Sequence, residues 1–375
     1  LSAGLFGYIG YDMVSYFENI SIKNADPLDL PESILIRPSL ICIFDRLKDE
    51  FILITPVRPK LGVTAEQAWN KGTKIIANAV NELNSGLDHS NLPVQKDFHQ
   101  DNNAPSNLTK SEFYSSVEKA KEYIKSGDVY QVVLSQRFEI PFQKSSISFY
   151  RSLRRLNPSP FLFHFNFGDF YVVGSSPEIL VRLRDNECTI RPIAGTRPRG
   201  MNKIEDLKLK EELLNDPKER AEHLMLLDLG RNDVGRVSKP GTVEVTESFS
   251  VEMYSHVMHI ESEVKGELRG ELDSLDALIA GFPAGTVSGA PKIRAMQIIE
   301  ELETERRGIY SGAVGYFSAS GDLDTCIALR TGIIKDGKLY VQAGGGIVHD
   351  STNEGEELET RNKAKALIRA AELAD

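Results

Sequence analysis

The chain has 375 residues, 41% hydrophobic and 26% charged, enough for a large buried core in one very large domain or two. A formal net charge of −10 speaks against a nucleic-acid partner, which needs clustered Lys and Arg, and no basic run breaks the sequence. The three cysteines, Cys42, Cys188 and Cys326, are odd in number and far apart, so neither a disulfide framework nor a cysteine metal cage is expected, and a reducing, cytoplasmic setting fits. No stretch reaches the roughly 18 apolar residues of a membrane span. The opening LSAGLFGYIGYD has no basic segment followed by an apolar core. It starts without Met, inside what reads as a strand, as expected of a fragment lacking an N-terminal part.

Residues 1–57 carry the apolar and β-branched runs LFGYIGY, ILIRPSLICIF and EFILITP, broken by Pro and Asp, which predict several strands. A helix is expected from Thr64 to Leu83. The Asn-, Asp-, Ser- and Pro-rich stretch at about 84–107 reads as a linker, dividing an N-terminal remnant (1–100) from a larger domain (108–375). Thr109, with Glu112 three residues on, predicts a capping box opening a helix through Lys125, ahead of the strand VYQVVLSQRFEI. Later strands are expected at FLFHFNF, DFYVVGS, LVRLRD, CTIRPI, SHVMHIESEV, GAVGYFSAS, DTCIALRTGIIK and KLYVQAGGGIV. Helices are expected at about 203–229, 273–280, 291–303 and 354–373. Strands in hairpin succession with helices inserted in blocks favour an antiparallel α+β fold over parallel βαβ units.

Two acidic groups stand out. In NDPKERAEHLMLLDLGRND, Asp216 and Pro217 make an N-cap and first-turn pair, and Glu219 can bond back to that cap. Glu222 sits among Leu224, Met225, Leu226 and Leu227, where a carboxylate drawn into a core needs a cation or donors. In STNEGEELETRNKAKA, Glu356 and Glu359 share a helix face. The pairs Glu357–Arg361 and Glu359–Lys363 also suit a solvated, salt-bridged surface, and spacing does not decide between the readings. The functional alternative gathers Glu222, Glu356 and Glu359 around one hard cation, as Mg²⁺ takes oxygen ligands.

Three glycine-rich segments, IAGTRPRG (193–200), FPAGTVSGAPK (282–292) and QAGGGIV (342–348), read as loops letting backbone N–H groups approach an anion. None has the spacing of a nucleotide loop, and with Thr196, Thr286 and Arg197 nearby they suggest carboxylate capture. His259 falls on a predicted strand face with Val257 and Glu261, where a lone His is more often structural. No Ser-His-Asp or Cys-His arrangement is legible.

Taken together, the segments GYIGYDMVSYFE (7–18), SGDVYQVVLSQRF (126–138), NPSPFLFHF (157–165), GSSPEILVR (174–182), RPIAGTRPRG (191–200), ERAEHLMLLDLGRNDVGRVSKPGTV (219–243), FPAGTVSGAPKIRAMQIIEE (282–301), RRGIYSGAVGYF (306–317) and ETRNKAKA (359–366) resemble the chorismate-utilising enzymes. Among them the resemblance is to the large-subunit group of the anthranilate synthases. It covers nearly the whole chain past the linker, and its long blocks are highly specific. It implies large antiparallel sheets packed as a sandwich with helices outside, an Mg²⁺ cofactor, and chorismate as substrate, aminated with loss of pyruvate. Members that add water carry Lys where this sequence has Gln131, so ammonia is the implied nucleophile. Aminodeoxychorismate synthases, the nearest alternative, typically carry Lys at the position of Ala194.

By the same resemblance, Glu222 and Glu359, supported by Glu219 and Glu356, hold Mg²⁺. Glu178 protonates the departing 4-hydroxyl, and His259 and Thr286 support elimination of pyruvate. Gln131, Gly195, Thr196, Tyr310, Arg330, Gly344 and Gly346 bind the substrate. A tryptophan feedback pocket is implied at Pro160, Phe161, Leu162 and Cys326, with an N-terminal Leu-Leu-Glu-Ser-type element that these residues do not contain. No glutaminase signature is visible, so ammonia is expected from a separate glutamine amidotransferase chain. A catalytically silent amino-acid-binding module, the remaining alternative, does not account for Glu178, Glu222, His259, Thr286, Arg330 and Glu359 occurring together.

Overall fold

The computed structural model describes residues 3–58, 60–85, 104–254 and 257–374. In chain order these form β1 (Leu5–Ile9), β2 (Ser33–Ile36), β3 (Ile41–Asp45), β4 (Glu50–Ile54), α1 (Ala65–Asn84), α2 (Lys110–Lys125), β5 (Gln131–Pro141), α3 (Ser146–Leu156) and β6 (Phe161–Asn166). Next come β7 (Phe170–Ser176), β8 (Ile179–Arg184), β9 (Glu187–Ile190), β10 (Ile193–Pro198), α4 (Lys203–Asn215), α5 (Pro217–Val237), β11 (Glu244–Met253) and β12 (Val257–Glu267). The chain continues through α6 (Ser274–Gly281), β13 (Gly289–Ala290), α7 (Lys292–Leu302), β14 (Ala313–Phe317), β15 (Leu323–Ile327), β16 (Thr331–Lys335), β17 (Lys338–Ile347) and α8 (Asn353–Glu372).

Among the described residues, one sheet has nine strands in the order β10-β12-β9-β8-β15-β14-β1-β2, with β11 added beside β12, and a second has six in the order β13-β5-β17-β16-β7-β6. Their named pairings are antiparallel, as expected of an α+β sandwich. Tyr8, Val314 and Cys326 from the first sheet pack with Phe170, Val172 and Ile333 from the second, and this apolar layer joins the two. On the outer face of the six-stranded sheet, Phe149 and Leu153 of α3 and Leu367 and Ala370 of α8 cover Phe138, Val173 and Val341. Helices α5 and α6 pack on the nine-stranded sheet.

Local chemistry explains the clearest elements. Thr109 and Glu112 form both bonds of a capping box at α2, whose Phe113, Val117 and Ala120 turn inward at helical spacing. The helical stretch expected over 203–229 is two helices. Asp216 ends α4 and caps α5, and Pro217, which has no N–H to give, opens the new helix, which runs on to Val237. The single strand read in DTCIALRTGIIK is likewise two: β15 belongs to the first sheet and β16 to the second, and the chain crosses between them at Arg330, which has a left-handed φ of 46°.

The N-terminal part does not divide from the rest at the expected boundary. β1 pairs with β14 and β2 with β1, so both strands continue the nine-stranded sheet, while β3 and β4 pair with each other in a separate two-stranded sheet. Most of the linker expected at 84–107 lies outside the described residues. Where the description resumes, Ser106 already bridges Phe138.

Candidate active site

The glycines of QAGGGIV lie near the C-terminal end of β17, not in a loop. Each leaves room for a polar side chain. A Cβ on Gly344 would come within 2.8 Å of the Tyr310 hydroxyl, one on Gly345 within 2.7 Å of Glu356 Oε2, and one on Gly346 would collide with Gln131 Nε2. The strand thus bears no side chain here on either face: the Tyr310 phenol and the Gln131 amide lie over Gly344 and Gly346 on one side, and the Glu356 carboxylate over Gly345 on the other, as strand alternation requires. IAGTRPRG is also strand: Gly195, with φ of 71°, marks the irregularity where β10 slips against β12, and FPAGTVSGAPK alone keeps a largely irregular course through a 3₁₀ turn at Gly285–Val287.

Two helices bring glutamates to this part of the sheet. From α5, Glu222 accepts a hydrogen bond from Gln131 Nε2 at 3.2 Å, while Glu219 one turn earlier pairs with Arg197 at 3.1 Å. From α8, Glu356 is buried and accepts from the Ser351 hydroxyl at 2.6 Å, and Glu359 pairs with Lys363 at 2.7 Å. The solvated-face reading of this segment therefore holds only for Glu359. Glu357 is buried against Arg361, whose guanidinium lies over the Phe138 ring.

Burial, and then the neighbouring carboxylates Glu219 and Glu359, raise the pKa of Glu222; burial and Glu359 raise that of Glu356. Glu356 Oε2 and Gln131 Oε1 are buried with no hydrogen-bond partner. Among the described residues no three His, Cys, Asp or Glu side chains close into a metal cage. The set nonetheless fits a hard cation of the Mg²⁺ kind, which takes one or two carboxylates and leaves its other positions to water and an anionic substrate. An orphaned carboxylate oxygen and mutually repelling glutamates are what such an ion would satisfy.

Glu178, in the turn between β7 and β8, is 7% exposed. Burial pushes its pKa up to about 8, with the Glu261 charge adding to the rise and hydrogen bonds from the Thr286 hydroxyl and the Ile193 backbone opposing it. It holds a proton at neutral pH. Thr286 Oγ donates to Glu178 Oε1 at 2.9 Å. A small cleft lined by Glu178, Thr286, Gly285, Leu226, Ile190 and Asp233 lies against this pair.

His259 on β12 is partly buried beside buried Met258 and Ile260, as strand alternation predicts. Its Nδ1 lies 3.1 Å from the Gly195 carbonyl and 3.0 Å from Thr196 Oγ. A carbonyl only accepts, so Nδ1 carries the ring proton and Nε2 the lone pair. Burial, with Arg330 and Lys363 nearby, lowers the pKa and keeps the ring neutral.

The Arg330 guanidinium donates to Asn157 Oδ1 at 3.1 Å, and the Nδ2 of that Asn157 is buried without a partner. Asn157 opens the NPSPF segment. Phe161 at the start of β6 joins the same apolar cluster as Cys326, whose thiol burial pushes up to about 12. Phe163 and Phe165 share that side of the strand, so Leu162 faces the other way, and Pro160 lies just before β6.

Sequence reasoning missed two members of the site. Lys363, read as a surface partner of Glu359, also donates to the Gly344 carbonyl at 3.0 Å, and its charge acts on Glu178, His259 and Tyr310. Asn157 carried no signal beyond its place before Pro158.

A family model described as chorismate binding enzyme matches residues 1–369. The chain is 54% identical to anthranilate synthase component 1 of Cereibacter sphaeroides, in an alignment covering 100% of this chain and 74% of that one. It is 51% identical to the protein of the same name from Aquifex aeolicus, covering 99% and 75%. Among solved structures it superposes on anthranilate synthase component I from Streptococcus pneumoniae with a TM-score of 0.85 at 42% identity, covering 98% of this chain and 80% of that chain.

Proposed function

The chain belongs to the chorismate binding enzyme family, and from that membership we propose that it converts chorismate and ammonia to anthranilate, pyruvate and water, the entry step to tryptophan. The observation that carries this reading is the buried Glu178, its pKa raised to about 8 and its carboxyl bonded to Thr286, together with a side-chain-free stretch of β17 that has Tyr310 and Gln131 on one face and Glu356 of α8 on the other.

The nitrogen lone pair of ammonia attacks C2 of chorismate, the ring double bonds shift, and the C4–O bond breaks. Glu178 gives its proton to the departing hydroxyl, which leaves as water. Gln131 stands where the water-adding relatives carry Lys, so no side-chain base is placed to activate water. In the second step the C2 proton is removed, the enolpyruvyl C–O bond breaks, and the ring becomes aromatic as pyruvate departs. His259 Nε2, unprotonated, is suited to accept that proton. Arg330 pairs with a substrate carboxylate through its planar fork, and Tyr310 with Thr196 fixes the ring.

Glu222 and Glu359, with Glu219 and Glu356 beside them, hold Mg²⁺. When bound, the ion supplies positive charge at the ring carboxylate of chorismate. Ala194, buried against β12, leaves no Lys where the aminodeoxychorismate synthases carry one. In the cell the ammonia comes from a separate glutamine amidotransferase chain, the setting is cytoplasmic, and tryptophan binds near Pro160, Phe161, Leu162 and Cys326 as a feedback inhibitor. No helix among the described residues is long and apolar enough to cross a membrane.

Pyruvate release tests the reading. With chorismate, ammonium and Mg²⁺, lactate dehydrogenase and NADH should report one pyruvate per chorismate consumed. Chorismate loss without pyruvate would instead mark an enzyme that stops at amination.

A further inference from the structure

Beneath the site, and taking no direct part in it, Arg307 is sealed in the core with its side chain 1% exposed. All its donors are engaged. Nε and Nη2 grip both oxygens of Glu303 at 2.9 and 2.6 Å, Nη2 also donates to the Val133 carbonyl at 2.7 Å, and Nη1 donates to the Val287 carbonyl at 2.7 Å and to Ser311 Oγ at 3.4 Å. Its guanidinium lies 5.6 Å from the centre of the Tyr310 ring. Glu303 is held in turn by the Ser135 N–H and hydroxyl, each at 2.8 Å.

The residues at the ends of these bonds are neighbours of substrate-site groups. Val287 follows Thr286, Val133 lies two residues beyond Gln131, and Tyr310 is itself over Gly344. A buried ion pair is poor evidence for stability, because well-packed apolar side chains of the same volume often do as well. What apolar side chains cannot do is hold two carbonyls from different elements in one plane, and a Lys has neither the fork nor the donor count.

We propose that Arg307, clamped by Glu303, is a positioning residue for chorismate amination. It fixes the β5 and Val287 backbones and the Tyr310 ring together, so that Gln131, Thr286 and Tyr310 meet the substrate in a single geometry. This rests on the function proposed above.

The test is a double-mutant cycle between Arg307→Lys and Thr286→Ala, with the unaltered chain as control. Anthranilate formation by the control establishes the function itself; its absence would sink that reading and this proposal with it, whereas with an active control the variants test this proposal alone. Arg307→Lys should lower kcat about tenfold or more per folded molecule while the chorismate KM moves less than about threefold, as loss of a transition-state contact does. In the Thr286→Ala background that loss should largely vanish, since the two act as one unit. Should Arg307→Lys not fold, Ser135→Ala, which only loosens Glu303, takes its place with a smaller fall in kcat and the same non-additivity. A fall in melting temperature with kcat per folded molecule unchanged, or effects that simply multiply, would overturn the proposal.

Discussion

Thr286 Oγ donates to Glu178 Oε1 at 2.9 Å, in a place where burial has already pushed the Glu178 pKa up to about 8. The hydrogen bond favours the carboxylate and so restrains the rise. Removing it should raise the pKa further, so Thr286→Val should move the alkaline limb of the kcat profile to higher pH while lowering kcat by roughly 10²-fold, as loss of a positioned partner of a general acid does. With ammonium as the nitrogen source the unaltered chain should show a bell, rising as free ammonia forms and falling as Glu178 loses its proton. An alkaline limb that stays in place in the variant would separate Glu178 from the acid role.

The same carboxyl links folding to pH. Its pKa is raised in the folded state from 4.5 to about 8, so the folded chain binds the proton more tightly than the unfolded chain. The stability this contributes is complete below about pH 4.5 and is lost as pH rises through about 8, a few kcal/mol in total. Glu178→Gln cannot titrate, so the difference in melting temperature between it and the unaltered chain should shift in favour of the variant across that window. A difference that does not change with pH would contradict the buried, protonated state.

The glycines of β17 give a test that spares the fold. Gly345 and Gly346 do not have the left-handed φ that excludes other residues, so Ala can follow the strand, but its methyl would meet Glu356 Oε2 or Gln131 Nε2. Gly346→Ala should keep the melting temperature within a few degrees yet cut kcat/KM by roughly 10-fold or more, since small misplacements at a site are costly. Unchanged kinetics would mean that Gln131 is free to move and is not part of the site.

Glu222→Gln keeps the side-chain shape and the contact with Gln131 but removes a charge. Calorimetric titration with Mg²⁺ alone should show binding weakened by at least about 10-fold, with far-UV dichroism unchanged. Equal affinity would take Glu222 out of the metal set.

What could be read in the sequence follows from how local its cause is. The Thr109–Glu112 capping box and the Asp216–Pro217 cap are settled within four residues, and both are present. The helix α3 over Ser146–Leu156 was not expected: its inward face rests on Phe149 and Leu153, one turn apart in a single short element of eleven residues. Apolar content also cannot say which sheet a strand joins, so DTCIALRTGIIK reads as one strand where the left-handed turn at Arg330 sends its halves into two. At the site, the small residues of QAGGGIV announced a close approach but not its partners, and Glu357 looked solvated because its pairing with Arg361 is the same at i,i+4 whether the helix face is wet or buried.

The most direct test of the whole account is the fluorescence of anthranilate after the chain is mixed with chorismate, ammonium and Mg²⁺ at mildly alkaline pH. The account predicts a rise that requires both ammonium and Mg²⁺ and is absent in Glu178→Gln. Chorismate consumed with no fluorescence, or a rise that persists in Glu178→Gln, would contradict it.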